Sequence, residues 1–334
     1  MKQRHVFHSL VLLVLLAVSR DGLAQAPTHP ANGQLKIFIL SGQSNMVGFG
    51  QLQGSPGTME TYVSSNPEAY GHLIDNDGNP VVRDDVWIVD ISREGQERMG
   101  WLTTGYGADS GHIGPEYGFG FVVGDVFEDP VLIIKSAWGG RSLAHNFLSP
   151  SSAEYPTPEQ DGDRGFQYAE ILRHVQQITG NLEEYFPSYD GQGYEIVGFG
   201  WHQGWNDRIN AQAVDAYEAN LVNLIKDLRK DLGVEKLPFV VANTGMGGWD
   251  IPPQAAYKAR VEKLMDAQLA VADPQKYPAL AGTVAGVETR DFQRAPEESP
   301  SGQGFHWLRN WETYYLIGKS MGEAMVDLAS GGAG

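Results

Sequence analysis

The sequence predicts a doubly wound α/β fold, a mostly parallel sheet sandwiched by helices. Two observations lead there. Apolar, strand-like runs recur along the chain at residues 35–40, 86–91, 131–135, 195–200, 239–242 and 281–287. Several are continuously apolar and β-branched, as expected of strands buried on both faces of a parallel sheet. Helical patterns lie between them, and this alternation implies a layered α/β architecture. Its functional site would lie at the carboxyl ends of the strands.

The elements follow in order from the amino terminus. Lys2 and Arg4 precede an apolar run over residues 10–18, the length of a signal-peptide core and too short to span a bilayer comfortably. Gly22 and Ala24 supply small residues at −3 and −1, so cleavage is expected after Ala24; cleavage after Ala26 would put Pro27 at +1. An uncleaved anchor is the alternative. A polar linker over 25–34 then leads into a single domain over 35–330. Residues 50–85 and 141–165 are rich in Gly, Pro, Ser, Asp and Asn and read as long loops over the carboxyl edge. Val214, Tyr217, Leu221, Leu224, Ile225 and Leu228 share one helical face. The last helix begins after Asn310, a good N-cap, with Trp311, Tyr314, Tyr315, Gly318, Met321, Gly322 and Met325 on its inner side.

Composition narrows the function. The 334 residues contain no cysteine, which excludes disulfides, a thiol nucleophile, cysteine-ligated metals and a lipid-modified N-terminal cysteine. The net charge is −17, and it becomes more negative once the basic leader is removed. Such an excess argues against nucleic acid or an anionic membrane as partner. It fits a neutral substrate met in a periplasmic or extracellular space.

Four segments carry candidate chemistry. The first strand runs into Ser41-Gly42-Gln43-Ser44-Asn45-Met46, a serine held on a strand–turn–helix boundary, where a hydroxyl can act as nucleophile. The third strand ends in Trp138-Gly139-Gly140-Arg141, where glycine lets backbone approach a ligand and offer a free N–H. The fourth ends in Trp201-His202-Gln203-Gly204-Trp205-Asn206-Asp207, dense in hydrogen-bonding side chains that are costly to bury without partners. Finally, Gly302-Gln303-Gly304-Phe305-His306-Trp307 precedes the last helix, where a histidine could fold back on the sheet edge and take a serine proton. Taken singly, each segment also reads as an ordinary turn or a structural residue.

Together the four blocks resemble the SGNH hydrolase superfamily, and more closely its sialate O-acetylesterase and acetylxylan esterase branch of carbohydrate esterases. Gly111-His112-Ile113-Gly114-Pro115-Glu116 resembles a further family segment. The resemblance spans residue 37 to about residue 325 and implies a flavodoxin-like sandwich. It also implies that Ser44 attacks an ester carbonyl with His306 as base. The oxyanion would be held by the Ser44 and Gly140 N–H groups and a side chain, Gln203 by the closer branch or Asn206 by the wider superfamily's Gly-x-Asn-Asp pattern. Gln43, Trp138, Arg141, His202 and Trp205 surround these positions and are candidate substrate-binding residues.

Two departures concern the third triad member. Many relatives carry an aspartate three residues before the histidine, where this chain has Gln303. The closer branch often has a glutamate where this chain has Trp205. Asp207 is the expected replacement, with Asp291 and Glu288 as rivals and a Ser–His dyad as the further alternative. The expected activity is therefore removal of O-acetyl groups from a sialic acid, xylan or other glycan by an exported serine esterase. No cofactor and no metal are expected: His202 and Asp207 could ligate zinc, but no metal-binding helix motif or cysteine cluster accompanies them. Competing readings are a lipid or thioester hydrolase of the same superfamily and a catalytically silent glycan-binding protein. Oligomeric state is left open by the sequence.

Overall fold

A computed structural model describes residues 33–93, 96–152, 163–245, 247–251 and 255–331. The expected signal peptide, and nearly all of the linker, lie outside the described residues. Nine strands occur among the latter: β1 (Leu35–Gly42), β2 (Gly50–Gln51), β3 (Val86–Arg93), β4 (Gln96–Trp101), β5 (His112–Ile113), β6 (Val131–Ala137), β7 (Tyr194–His202), β8 (Phe239–Ala242) and β9 (Val284–Val287). The principal helices are α1 (Ser44–Val47), α2 (Met59–Ser65), α3 (Pro67–Tyr70), α4 (Pro115–Val126), α5 (Phe166–Thr179), α6 (Leu182–Tyr185), α7 (Ala211–Asp231), α8 (Ala255–Ala270) and α9 (Trp311–Ala329).

Seven strands form one sheet in the order β4-β3-β6-β1-β7-β8-β9, and β2 pairs with β5 in a separate ribbon. Every pairing in the large sheet is parallel except β3 with β4. The chain leaves β1 toward β3 and β6 on one side and later returns to its other side with β7. The crevice at the end of β1 is thus a topological switch point, where α/β sheets bind ligands. Ser44 is the second residue beyond that strand.

Alternation along the strands separates two cores. Leu35, Ile37, Ile39, Leu132, Ile134, Phe199, Trp201, Phe239 and Val241 face α5, α6, α7 and α8. Phe38, Leu40, Ile88, Val131, Ile133, Val240 and Ala242 face α4 and α9. The period-two side-chain direction of a strand turns one continuous apolar run into two buried faces. Asn310 caps α9 as the sequence predicts, accepting the Thr313 N–H at 3.2 Å.

Three local features differ from expectation. Residues 50–85 are more than loop, since they include β2, α2 and α3. A capping box joins Thr58 and Thr61, and Asn66 with Pro67 starts α3, but helices this short give no readable period. Strand β4 is an edge strand of sequence Gln-Glu-Arg-Met-Gly-Trp, whose charges mask its strand character while suiting an exposed edge. The run at 281–287 becomes strand only from Val284, because Leu280 and Gly282 belong to the preceding turn.

Candidate active site

The turn before Ser44 depends on glycine. A Cβ on Gly42 would lie 2.1 Å from the His202 carbonyl oxygen, and its φ is +155°, so only glycine lets the ends of β1 and β7 come this close. Gln43 follows as the residue before α1 and is buried. Its Oε1 accepts the Gly204 N–H at 3.1 Å, the Asn206 N–H at 3.0 Å and the Gln203 Nε2 at 3.2 Å. That oxygen, on a residue expected to contact substrate, fastens the Ser44 turn to the amide loop. Ser44 itself is half-buried at the first position of α1, where first-turn N–H groups have no intrahelical partner.

The glycine loop lies beside it. Trp138 donates its backbone N–H to the Gly42 carbonyl at 3.2 Å, and a Cβ on Gly139 would stand 3.7 Å from Ser44 Cβ. Gly140 is exposed with φ +70°, a left-handed conformation that a side chain would strain. Arg141 is ion-paired with Asp163 at 3.1 Å. The Trp138 ring lies 5.5 Å from His174, which is itself hydrogen-bonded to Ser136 at 2.9 Å.

On the amide loop, Asp207 and Gln203 form one buried unit. The Asp207 carboxylate accepts the Leu143 N–H at 3.0 Å, the Ala144 N–H at 2.9 Å and the Gln203 Nε2 at 2.6 Å. The same amide nitrogen reaches the Arg141 carbonyl at 2.9 Å, and Gln203 Oε1 accepts from the Tyr217 hydroxyl at 2.9 Å. Burial pushes the Asp207 pKa up to about 6 against the pull of its donors. Asn206 differs: it is half-buried, and its Nδ2 donates to the Gly140 carbonyl at 2.9 Å, leaving its second amide hydrogen for a ligand. Trp205 lies under the Arg208 guanidinium at 3.7 Å and faces Phe305 at 6.4 Å.

His202, an expected substrate contact, is buried, with Nδ1 against the Ala242 carbonyl at 3.2 Å. Burial lowers its pKa to about 4, so it is a neutral interior residue. A zinc site on His202 and Asp207 has no support from this arrangement, because one imidazole nitrogen and both carboxylate oxygens are already bonded within the protein.

His306 reaches the site on a turn that closes against α1. Asn45 donates its Nδ2 to the Phe305 carbonyl at 3.2 Å and accepts the Tyr314 hydroxyl at 2.8 Å. The residue after Ser44 is therefore tied to the residue before His306. The imidazole stacks on Phe49, with centroids 3.8 Å apart and planes at 9°. Desolvation first, and the Arg309 cation second, lower its pKa to about 4.

Among the described residues no carboxylate meets its buried Nδ1, which has no hydrogen-bond partner there. Asp207, the expected third member, has its carboxylate bonded to the Leu143 and Ala144 N–H groups and the Gln203 amide. Glu288 is bonded to Arg290 and Asn243, and Asp291 accepts the Trp249 indole N–H at 2.8 Å. Gln303, at the position of the familiar aspartate, accepts from Arg309 Nε at 3.0 Å.

The structure thus gathers Ser44, Gly140, Asn206 and His306 on the segments that meet at the end of β1, with Gln43, Gln203 and Asp207 beneath them. Sequence reasoning missed Asn45 and Phe49. Both flank the serine by only a few residues, and an amide and a ring beside a nucleophile were the available signals.

The family model described as carbohydrate esterase, sialic acid-specific acetylesterase, matches residues 34–276; the span includes Ser44, Gly140 and Gln203 and stops short of His306. No curated protein matches the chain. Among solved structures, a protein from Arabidopsis thaliana is similar with TM-score 0.53 and 18% identity, over 89% of this chain and 99% of that one. A carbohydrate acetylesterase from Xanthomonas citri gives TM-score 0.51 and 16% identity, over 88% of this chain and 57% of that one. NanS gives 0.49 and 14%, over 89% and 98%. With a family match over most of its length and the blocks of that family meeting at one sheet edge, the chain belongs to the sialic acid-specific acetylesterase family of carbohydrate esterases.

Proposed function

We propose that this carboxylic ester hydrolase is an exported serine esterase that removes O-acetyl groups from a glycan, with Ser44 as nucleophile and His306 as general base. The observation that carries this reading is the tether from Asn45 to the Phe305 carbonyl, because it binds the neighbour of one reacting group to the neighbour of the other. His306 takes the Ser44 hydroxyl proton as Oγ attacks the ester carbonyl, and then delivers it to the departing sugar oxygen. Water releases acetate from the acetyl-serine by the same path in reverse. The Ser44 and Gly140 N–H groups and the Asn206 Nδ2 form the oxyanion site. Gln203 and Asp207 act beneath it, holding the loop that presents Gly140.

Trp138, Trp205 and the exposed Phe305 supply ring faces at the rim, which suit the apolar faces of a sugar. Acetate release from acetylated xylan, O-acetylated sialic acids and simple sugar acetates tests the reading. Turnover lost in both Ser44→Ala and His306→Ala is expected, and turnover retained in either overturns the assignment of that residue. Export is tested by the amino-terminal sequence of the secreted protein, expected to begin at Gln25.

The partnerless Nδ1 of His306 favours one second reading, a glycan-binding protein without catalysis. It predicts retention on acetylated glycans with no acetate release above the Ser44→Ala background.

A further inference from the structure

A catalytic histidine needs its ring held in one orientation, a task usually given to a carboxylate on Nδ1. Among the described residues His306 has no such partner, and Glu288, Asp291 and Glu312 are bonded elsewhere. What the ring does have is an aromatic face. Phe49 lies parallel to it at 3.8 Å, and Phe305 meets it at 4.5 Å and 62°. A stacked ring restricts tilt, and an edge contact from a second ring restricts slide.

Phe49 is itself firmly placed. The Gly48 carbonyl before it accepts the Ala108 N–H at 2.7 Å, and the Gly48 N–H returns to the Ser44 carbonyl at 2.9 Å. Gly50 after it pairs with Ile113 in the small ribbon. A Cβ on Gly48 would stand 2.0 Å from Gly114 Cα, so α1 and the Gly114 turn fix the height of the Phe49 backbone. Residues 44–49 thus carry the serine, the amide that grips the histidine turn and the ring on which the histidine rests.

We infer that Phe49 is a positioning residue for His306, orienting the imidazole toward Ser44 by stacking where relatives use a carboxylate. This rests on the reading of His306 as the base. It makes the pair a dyad whose geometry is set by packing. It also separates Phe49 from an ordinary core residue, since Phe49 is only half-buried and its partner is the reacting group.

Charged and titratable groups surround the stacked pair. They are Arg309 on the histidine's own turn, His112 from β5, whose ring lies 6.0 Å from the Phe49 ring, and Tyr314 from α9, which bonds Asn45. Arg309 disfavours the imidazolium, and so does the loss of water from the covered face. Uncovering that face moves the acid limb of activity upward.

The test uses p-nitrophenyl acetate kinetics of the mature protein from pH 4 to 8, with Phe49→Leu, Phe49→Tyr and His306→Ala. Misplacing a catalytic group by an ångström costs about 10²-fold, so kcat of Phe49→Leu should fall by one to two powers of ten while KM stays within about threefold. Its acid limb should move toward the ordinary imidazole range, and Phe49→Tyr should restore both. A Phe49→Leu enzyme with wild-type kcat and pH profile overturns the inference while an inactive His306→Ala leaves the base in place. An active His306→Ala overturns the base itself. Should Phe49→Leu melt far below the wild type, Phe49→Met, which fills similar space without a ring, decides. A lowered kcat with the His306 NMR titration moved upward supports the inference, and wild-type kcat or an unmoved titration overturns it.

Discussion

Asp207 holds the Gln203 side-chain amide at 2.6 Å, and with the same carboxylate it grips the Leu143 and Ala144 N–H groups. Through those two N–H groups the carboxylate joins the amide loop after β7, which carries Asn206, to the segment after β6, which carries Gly140. In the proposed function its effect on catalysis runs through loop position, and its titration acts on stability. Burial raises the folded-state pKa of Asp207 from 3.8 to about 6. Stability from this group is fully present below pH 3.8 and is lost as the pH rises through about 6. Denaturation midpoints from pH 3.5 to 7 should show that decline in the wild type. In Asp207→Asn the slope should flatten, with kcat reduced at least tenfold and the acid limb due to His306 unmoved. An unchanged slope in the variant would assign the titration elsewhere.

Ser44→Ala should keep the wild-type melting temperature and lower kcat by several powers of ten, because members of a catalytic unit act together. A serine-directed organophosphate should label Ser44 alone, as read by peptide mass. Label at another serine would remove Ser44 from the mechanism.

The two amides at the site should separate by their contacts. Asn206 bonds Gly140 from a half-buried position, so Asn206→Ala should cost about 10²–10³ in kcat with little change in melting temperature. Gln203 is buried, and truncating it takes one hydrogen bond each from Asp207, the Arg141 carbonyl and the Tyr217 hydroxyl. Gln203→Ala should therefore lose about 1–3 kcal/mol of stability for an unsatisfied buried group. Equal kcat losses without destabilisation in Gln203→Ala would return the oxyanion role to Gln203.

A free imidazole would give an acid limb near pH 6.5, the expectation for a general base met only in sequence. Desolvation and Arg309 lower the His306 value to about 4. The neutral ring is the active form, so kcat/KM should persist well below neutrality and fall only as the pH approaches that value. Arg309→Gln should move the limb upward by removing the cation. An acid limb at 6.5 in the wild type would contradict the enclosed ring.

The large parallel sheet is legible in the sequence because strands covered on both faces leave uninterrupted apolar runs such as Val131-Leu132-Ile133-Ile134. The nucleophile turn and the histidine turn are legible because each follows or precedes an element with a clear boundary. The bonding of Asp207 is not. Nearness in sequence puts Asp207 on the loop of Gln203, yet its partners Leu143 and Ala144 come from more than sixty positions away, and only the folded chain shows which groups its carboxylate holds. The role of Gln43 is hidden for the same reason: a polar residue before a nucleophile reads as a ligand contact until the loop that its oxygen supports is seen.

The ion pair beneath the nucleophile helix gives the last prediction. Lys135 and Glu116 are both fully buried and bonded at 2.7 Å, a charge pair with no access to water. Lys135 Nζ also donates to the Val47 carbonyl at the end of α1, at 2.8 Å, and to the Tyr106 carbonyl at 2.6 Å. Glu116 accepts the Gly114 N–H at 2.7 Å. The pair thus sets α1 on β6 and on the start of α4. Removing one partner strands a buried charge, which costs about 3–5 kcal/mol, whereas replacing both by uncharged residues of similar volume is often nearly neutral. Lys135→Met should accordingly destabilise strongly in urea, and Lys135→Met combined with Glu116→Gln should recover much of that loss. The double variant should remain less active than the wild type even when folded, because no ammonium then holds the Val47 carbonyl and α1 can shift under Ser44. Additive stability losses in the two single variants and the double would show that the two charges do not depend on each other. Full activity in the folded double variant would show that α1 needs no anchor from β6.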